Sequence, residues 1–319
     1  MNKSISMKVK NYKASGEIFA HTYSIVARDH KTGLMGVGVQ SHWFSVGSIV
    51  SWGEAGVGVV ATQSLVNKSF GLRGLELLKQ GKSPQEAIDI LISDDEGRDV
   101  RQVAILDSQG RVATHTGFKC IKHAGHKIGD NFSVQANMML SDKVWPVMAD
   151  TFEKFYNLSL PERIIKSLEA AETVGGDIRG KQSAALLVVA GEPTGNKWED
   201  PIIDLRVEDH IKPLKELSRL LKIFRAYEHM NNGDLAIEKG DMLKALNEYD
   251  AAQKMFPENS EMTYWTAVSL ANQNKLEEAL VLFKRVFKKN KNWRLLTERL
   301  PQSELLNLNE EDLKKILSL

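Results

Sequence analysis

The sequence predicts an α+β fold, and three observations carry that prediction. β-Rich runs come in hairpins, helical pairs are inserted between the hairpins, and the pattern turns wholly helical beyond about residue 212 of 319. Thr22–Ser41 holds two β-rich runs around the polar turn Asp29-His30-Lys31-Thr32-Gly33. Its Val, Ile and Tyr suit a pleated strand, while Gly36 and Gly38 leave room for close backbone approach. Ile49-Val50-Ser51-Trp52 and Gly56–Thr62 continue the sheet as short apolar runs. Helical spacing over Phe70–Leu78 gives a first helix, and Ser83, Pro84 and Glu86 supply the N-cap, first-turn proline and third-position carboxylate of a second. Arg101–Asp107 and Arg111–Thr116 flank Ser108-Gln109-Gly110 as another hairpin, followed by a strand from Phe132 to Met138. Asp142 is expected to cap a helix running through Phe155. A further helix over Pro161–Val174 ends at Gly175-Gly176, and Ser183–Ala190 is the continuous apolar run of a strand buried on both faces. Sheet, helices, sheet, helices, sheet is the order expected of two antiparallel sheets packed face to face under helices.

In the C-terminal region, Gly233, Ala245, Tyr249, Ala252 and Pro257 match the small, aromatic and proline positions of a tetratricopeptide unit. Ala279 follows Ala245 by 34 residues, with Phe283 and Val286 in the corresponding places, although Ala267 replaces the usual glycine and Lys291 the usual proline. Two such units are fewer than the roughly three needed to stand alone, so the region is expected to dock on the preceding domain or on a partner subunit. The expected organisation is a flexible extension over 1–21, an α/β domain over 22–211 and a helical domain over 212–319.

Composition narrows the function classes. A formal net charge of +1 gives no general attraction to nucleic acid, and no apolar run approaches the roughly 20 residues that cross a bilayer. The single cysteine, Cys120, excludes an intrachain disulfide and is expected as a buried thiol. The first 20 residues are rich in Lys, Asn and Ser and lack the apolar core of a secretory signal, although Ile18-Phe19-Ala20 before His21 is similar to the end of one. These residues favour the cytoplasm.

Several separated motifs occur in a recognisable order: Thr22–Asp29, Val46-Gly47-Ser48, Ala55–Gly58, Ala61-Thr62-Gln63 with Asn67, Gly71–Leu78, and Gly175–Leu187. Over residues 22 to 225 the chain resembles an uncharacterised bacterial family of Ntn-hydrolase-like proteins, some of them secreted. The resemblance implies a four-layer αββα sandwich followed by the all-α helical-repeat domain. It also makes Thr22 the candidate nucleophile, with its own α-amine as the base. A threonine hydroxyl needs such a base, and an α-amine titrating near about 7.7–8.0 can serve. Residues 1–21 precede Thr22, so its nitrogen lies in a peptide bond until His21–Thr22 is cleaved. Three readings of Thr22 stand: a processed nucleophile, a relic in a binding protein, or a β-branched strand residue.

Around it, Ser41 and Gln40 close the second strand, and Ser41 is a supporting residue by the same resemblance. Thr62, Gln63 and Asn67 lie between a strand and a helix, where donors and the helix dipole can hold developing negative charge. Asp177 and Arg179, in the turn leading to Ser183, suit a charge pair or a carboxylate grip, and Asn137 lies at a strand end. His115, His123 and His126 lack metal-ligand spacing, and the glycines of the hairpin do not open a helix, so no metal or other cofactor is expected. The expected activity is hydrolysis of an amide in a small acylated or peptide-like substrate. The alternatives are a noncatalytic ligand-binding protein and a scaffold recruiting a protein partner, or a second copy of the chain, through its helices.

Overall fold

A computed structural model describes residues 18–319, with the side chains of Ile18 and Phe19 left out. The described residues divide into two compact units, one ending at Ser218 and one spanning Arg219–Leu319. That division falls inside a continuous helix, Pro213–Glu238, rather than at residue 212.

Two antiparallel sheets organise the first unit. In the five-stranded sheet, β5 (Gly58–Val66) carries β6 (Arg101–Asp107) and then β7 (Val112–Thr116) on one edge. Its other edge is shared: β4 (Ser51–Glu54) pairs with Gly58–Ala61, and β1 (Ile18–Ala20) pairs with Ser64–Val66. The six-stranded sheet has the order β11 (Pro201–Val207), β10 (Ser183–Val189), β3 (Met35–Ser41), β2 (Thr22–Arg28), β9 (Phe132–Ala136), β8 (Gly125–Gly129).

Strand alternation sorts the side chains. Val26, Met35, Val37 and Val39 face Val59, Ala61, Ala104 and Leu106 of the other sheet, forming a buried core joined by Ala185 and Val189. On the far side of the first sheet, α2 (Ser69–Lys79) and α3 (Pro84–Ser93) bury Phe70, Leu75, Ile88 and Leu91 against Val60, Val103 and Ile105. The capping box at Ser83 and Glu86 forms as its sequence predicts. The second sheet is covered by α4 (Val144–Lys154) and α5 (Leu160–Thr173). Phe152 meets Phe132 there with ring centroids 4.8 Å apart.

Gly38 shows why glycine is required in β3: a Cβ there would collide with Ile164 and press on Leu168 of α5. At the end of α5, Gly175 and Gly176 take φ of 112° and 54°, conformations that stop the helix and that a side chain would resist.

Several expectations change. Of the extension expected over residues 1–21, positions 1–17 lie outside the described residues; Ile18–Ala20 is a paired strand, and Ala20 and His21 are buried. Its polar composition conceals this because the pairing uses backbone groups supplied by β5. Ile49-Val50 belongs to a single helical turn, α1 (Gly47–Val50), and only Ser51 and Trp52 are extended. The Ser183 hydroxyl binds Val46 N at 3.0 Å and also Trp43 O, which pins the chain into that turn. Asp142 does not cap α4. The helix begins one residue after Lys143, whose N–H instead reaches Ser141 Oγ at 3.1 Å.

The second unit is helical: α6 (Pro213–Glu238), α7 (Met242–Met255), α8 (Ser260–Asn272), α9 (Leu276–Lys289), α10 (Asn292–Arg299) and α11 (Glu310–Leu317). Ala245, Tyr249, Ala252, Ala267, Ala279, Phe283 and Val286 are all buried. Gly233 lies against the Tyr249 ring, whose hydroxyl donates to Asp234, while Tyr264 packs edge-on to Phe283. Burial lifts the Tyr264 phenol to about 12.

Overpacking at Gly38 predicts that Gly38→Ala lowers unfolding free energy by about 1–3 kcal/mol in urea titration. A change below about 0.5 kcal/mol would show that α5 yields without cost.

Candidate active site

Where β2 begins, the face between the sheets turns from apolar to polar. Thr22 and Ser24 occupy the same face as Val26, and across from them Gln63 of β5 and Gln102 of β6 are paired neighbours. Buried amides are costly unless every polar atom finds a partner, and here they bind one another. Gln63 Nε2 donates to Gln102 Oε1 at 2.6 Å, and Gln63 Oε1 accepts from Ser24 Oγ at 2.6 Å. Gln135 Nε2 donates to Ser24 Oγ at 2.6 Å, and Asn137 Nδ2 donates to Gln102 Oε1 at 2.9 Å. Gln102 Nε2 in turn reaches Ala136 O at 3.0 Å and Thr116 Oγ1 at 2.9 Å. This seam joins the two sheets through side chains.

The seam grips the backbone on both sides of Thr22. Its carbonyl accepts from Asn137 N at 3.1 Å, Gln63 Nε2 at 3.3 Å and Asn137 Nδ2 at 3.4 Å. The preceding carbonyl, that of His21, accepts from Ser41 Oγ at 2.6 Å and Arg179 Nη2 at 2.7 Å. Arg179 is held as a fork by Asp177, with Nε to Oδ1 at 3.0 Å and Nη2 to Oδ2 at 2.7 Å. The Asp177 side chain is fully buried and also accepts from His42 N at 3.2 Å and Arg179 N at 2.9 Å. Thr22 Oγ1 is buried and has no hydrogen-bond partner among the described residues. The His21 ring shares a 2.8 Å hydrogen bond between Nδ1 and Asn137 Oδ1. Burial holds its imidazole below the ordinary histidine range, partly opposed by that bond.

Thus Ser41, Gln63, Asn137 and Arg179, the last held by Asp177, converge on the adjacent carbonyls of His21 and Thr22. Gln40 does not: it faces the opposite side of β3, where its amide NH2 donates to the Tyr23 hydroxyl, which in turn donates to Glu172 Oε1 at 2.6 Å. Burial and the Glu172 carboxylate raise the Tyr23 phenol well above its usual value. Thr62 points away from its neighbour Gln63, and its hydroxyl reaches Asn67 O at 3.3 Å. Asn67 Oδ1 accepts from Ser69 N at 3.1 Å at the start of α2, so Thr62 and Asn67 shape a turn. Ser183 pins the chain before α1.

Gln102 and Gln135 were not foreseen; each is a long polar side chain in a fully buried strand, and nothing in the local sequence marks its partners. Beyond Gln102, Thr116 Oγ1 and His126 Nδ1 are 2.8 Å apart at the wall of a cavity of about 460 Å³, lined also by Cys120, Gly125 and Trp145. Burial raises the Cys120 thiol above its usual range. No cluster of three or more His, Cys, Asp or Glu side chains among the described residues could hold a metal ion.

The architecture is that of a mixed α/β protein, two antiparallel sheets clasping a buried threonine, followed by a helical region. Residues 22–217 match the model of a family described as "Family of unknown function (DUF1028)", and the chain belongs to that family. It is similar to the crystal structure of protein SPO2555 from Silicibacter pomeroyi, assigned to the same family. The two share 29% identity with a TM-score of 0.58, over 64% of this chain and 85% of that one. No curated protein matches.

Two outcomes follow from the seam. Gln102→Met keeps the volume but removes the shortest acceptor of Gln63 Nε2 and Asn137 Nδ2, leaving them only their longer bonds to backbone carbonyls, so stability should fall by about 1–3 kcal/mol in chemical denaturation. Retention of full stability would mean that the seam rearranges freely. The depressed His21 value means that the unfolded chain binds a proton that the folded chain excludes. Its contribution to stability is therefore fully present above about pH 6.5 and declines as pH falls below that. Melting temperatures recorded across this range should drop less steeply for His21→Gln than for the unaltered protein; parallel curves would contradict the assignment.

Proposed function

We propose that the protein is a latent amide hydrolase of the N-terminal-nucleophile type, built on a four-layer αββα sandwich and activated by cleavage of its own His21–Thr22 bond. The supporting observation is the setting of that bond: an unpartnered buried hydroxyl on Thr22 beside a carbonyl that already receives two donors, one of them cationic. Attack of Thr22 Oγ1 on the His21 carbonyl carbon moves the acyl group from nitrogen to oxygen. The hydroxyl proton ends on the freed nitrogen. Ser41 Oγ and the Arg179 guanidinium are placed to hold the negative charge that develops on the His21 oxygen. Water then hydrolyses the ester, its hydroxyl joining His21 and its proton returning to Oγ1, which leaves Thr22 with a free α-amine.

In the matured chain that amine is the base for attack on an external amide, and Asp177 keeps Arg179 aimed at the substrate carbonyl. The substrate is a small acylated or peptide-like amide. The C-terminal helices are read as two tetratricopeptide-like units that engage a protein partner.

Intact-mass analysis of the incubated full-length protein should show conversion to a chain beginning at Thr22. Thr22→Ala should abolish conversion, and Arg179→Ala should slow it about 100-fold or more, as removal of an oxyanion donor does. A chain that stays whole while folded would sink the hydrolase reading and favour a noncatalytic ligand-binding role.

A further inference from the structure

We infer that the edge of β5 at Ser64–Val66, filled by β1, is the acyl-side binding site for an extended peptide substrate, with β1 occupying it as a built-in stand-in. The inference rests on the proposed hydrolase reading and deepens it by naming the substrate class and register. β1 pairs antiparallel with that edge, Ile18 opposite Val66, Phe19 opposite Leu65 and Ala20 opposite Ser64. The chain then crosses to the other sheet in a single residue, His21, and its carbonyl lands on Ser41 and Arg179. A strand on the β5 edge is thereby joined, without a gap, to the carbonyl beside the Thr22 hydroxyl.

Two features make this edge separable from the rest of the sheet. β4 uses only Gly58–Ala61 of the same edge, and Ser64 takes φ of 73°, an uncommon conformation for a serine, at the start of the β1 ladder. Losing β1 would leave the β4 pairing in place and expose unpaired backbone groups of Ser64–Val66. Such an edge accepts an added strand, main-chain bonds supplying affinity and alternate side chains supplying selectivity. The selective position is that of Ala20, fully buried in the core that contains Val46, Ile49, Val50 and Val66. Only a small residue fits there. One residue on, the His21 ring binds Asn137 Oδ1, so a hydrogen-bonding side chain is favoured immediately before the cleaved bond.

The test uses full-length protein and a fluorescein-labelled peptide, Ile-Phe-Ala-His with a C-terminal amide. Two full-length variants weaken β1 in place: Phe19→Pro, whose fixed φ disfavours the middle of a three-residue strand, and the triple change Ile18→Gly, Phe19→Ser, Ala20→Gly. In fluorescence anisotropy, both should bind the peptide at least tenfold more tightly than the unaltered protein, whose edge is occupied. Replacing the peptide's alanine with leucine should weaken binding at least tenfold. Should a variant be partly unfolded, added peptide should raise its melting temperature. Absence of both binding and thermal rescue in the two variants would overturn the inference, as would equal affinity for the leucine peptide.

The same measurements in a Thr22→Ala background separate this claim from the hydrolase reading. Self-cleavage of the unaltered protein without peptide binding removes the strand site alone. Peptide binding in a protein that never cleaves leaves the strand site and removes the hydrolase.

Discussion

The need to satisfy buried amides between two apolar sheets governs this structure. Val26, Val37, Val59 and Leu106 would pack the sheets together without any fixed registry of one over the other. Gln63 and Gln102 supply it. Each reaches across from the first sheet to groups of the second, and each can be satisfied only when Ser24, Gln135 and Asn137 lie opposite. A slip of one residue in any strand would turn a glutamine outward and leave its partners unpaired in the interior.

That registry fixes the Thr22 backbone. β2 is the central strand at which the seam ends, and its first carbonyl is bound by the side-chain amides of Gln63 and Asn137 and by the main chain of Asn137. The neighbouring His21 carbonyl is then presented to Ser41 and Arg179, and the buried Asp177 holds Arg179 in place from the opposite side. On the proposed reading this matters for the cleavage, because donors aimed before reaction need no reorganisation during it. The same crossing at His21 draws β1 onto the first sheet.

The legible parts of the sequence are those governed by local rules. The hairpin at Asp29–Gly33, the capping box at Ser83 and the glycine stop after α5 each follow from a few neighbouring residues. The structure brings Thr22, Ser41, Asn137, Asp177 and Arg179 together, and each stands at a strand end or in a glycine-flanked turn that the sequence marks. Thr62 and Asn67 were misplaced because strand parity turns Thr62 away from the face that Gln63 occupies. Gln102 and Gln135 escaped notice because a glutamine within a strand announces neither its burial nor its partners. β1 was illegible for a related reason: its pairing depends on an edge of β5 supplied more than 40 positions later.

The account stands most directly on whether the His21 acyl group moves to Thr22 Oγ1, and hydroxylamine tests this in the folded full-length protein. An ester at that position is cleaved by hydroxylamine, releasing a fragment that ends in a hydroxamate on His21 and a chain that begins at Thr22. Mass spectrometry should find both products, and neither from Thr22→Ala. Recovery of the unaltered protein intact from hydroxylamine, under conditions where circular dichroism shows it folded, would contradict the central claim.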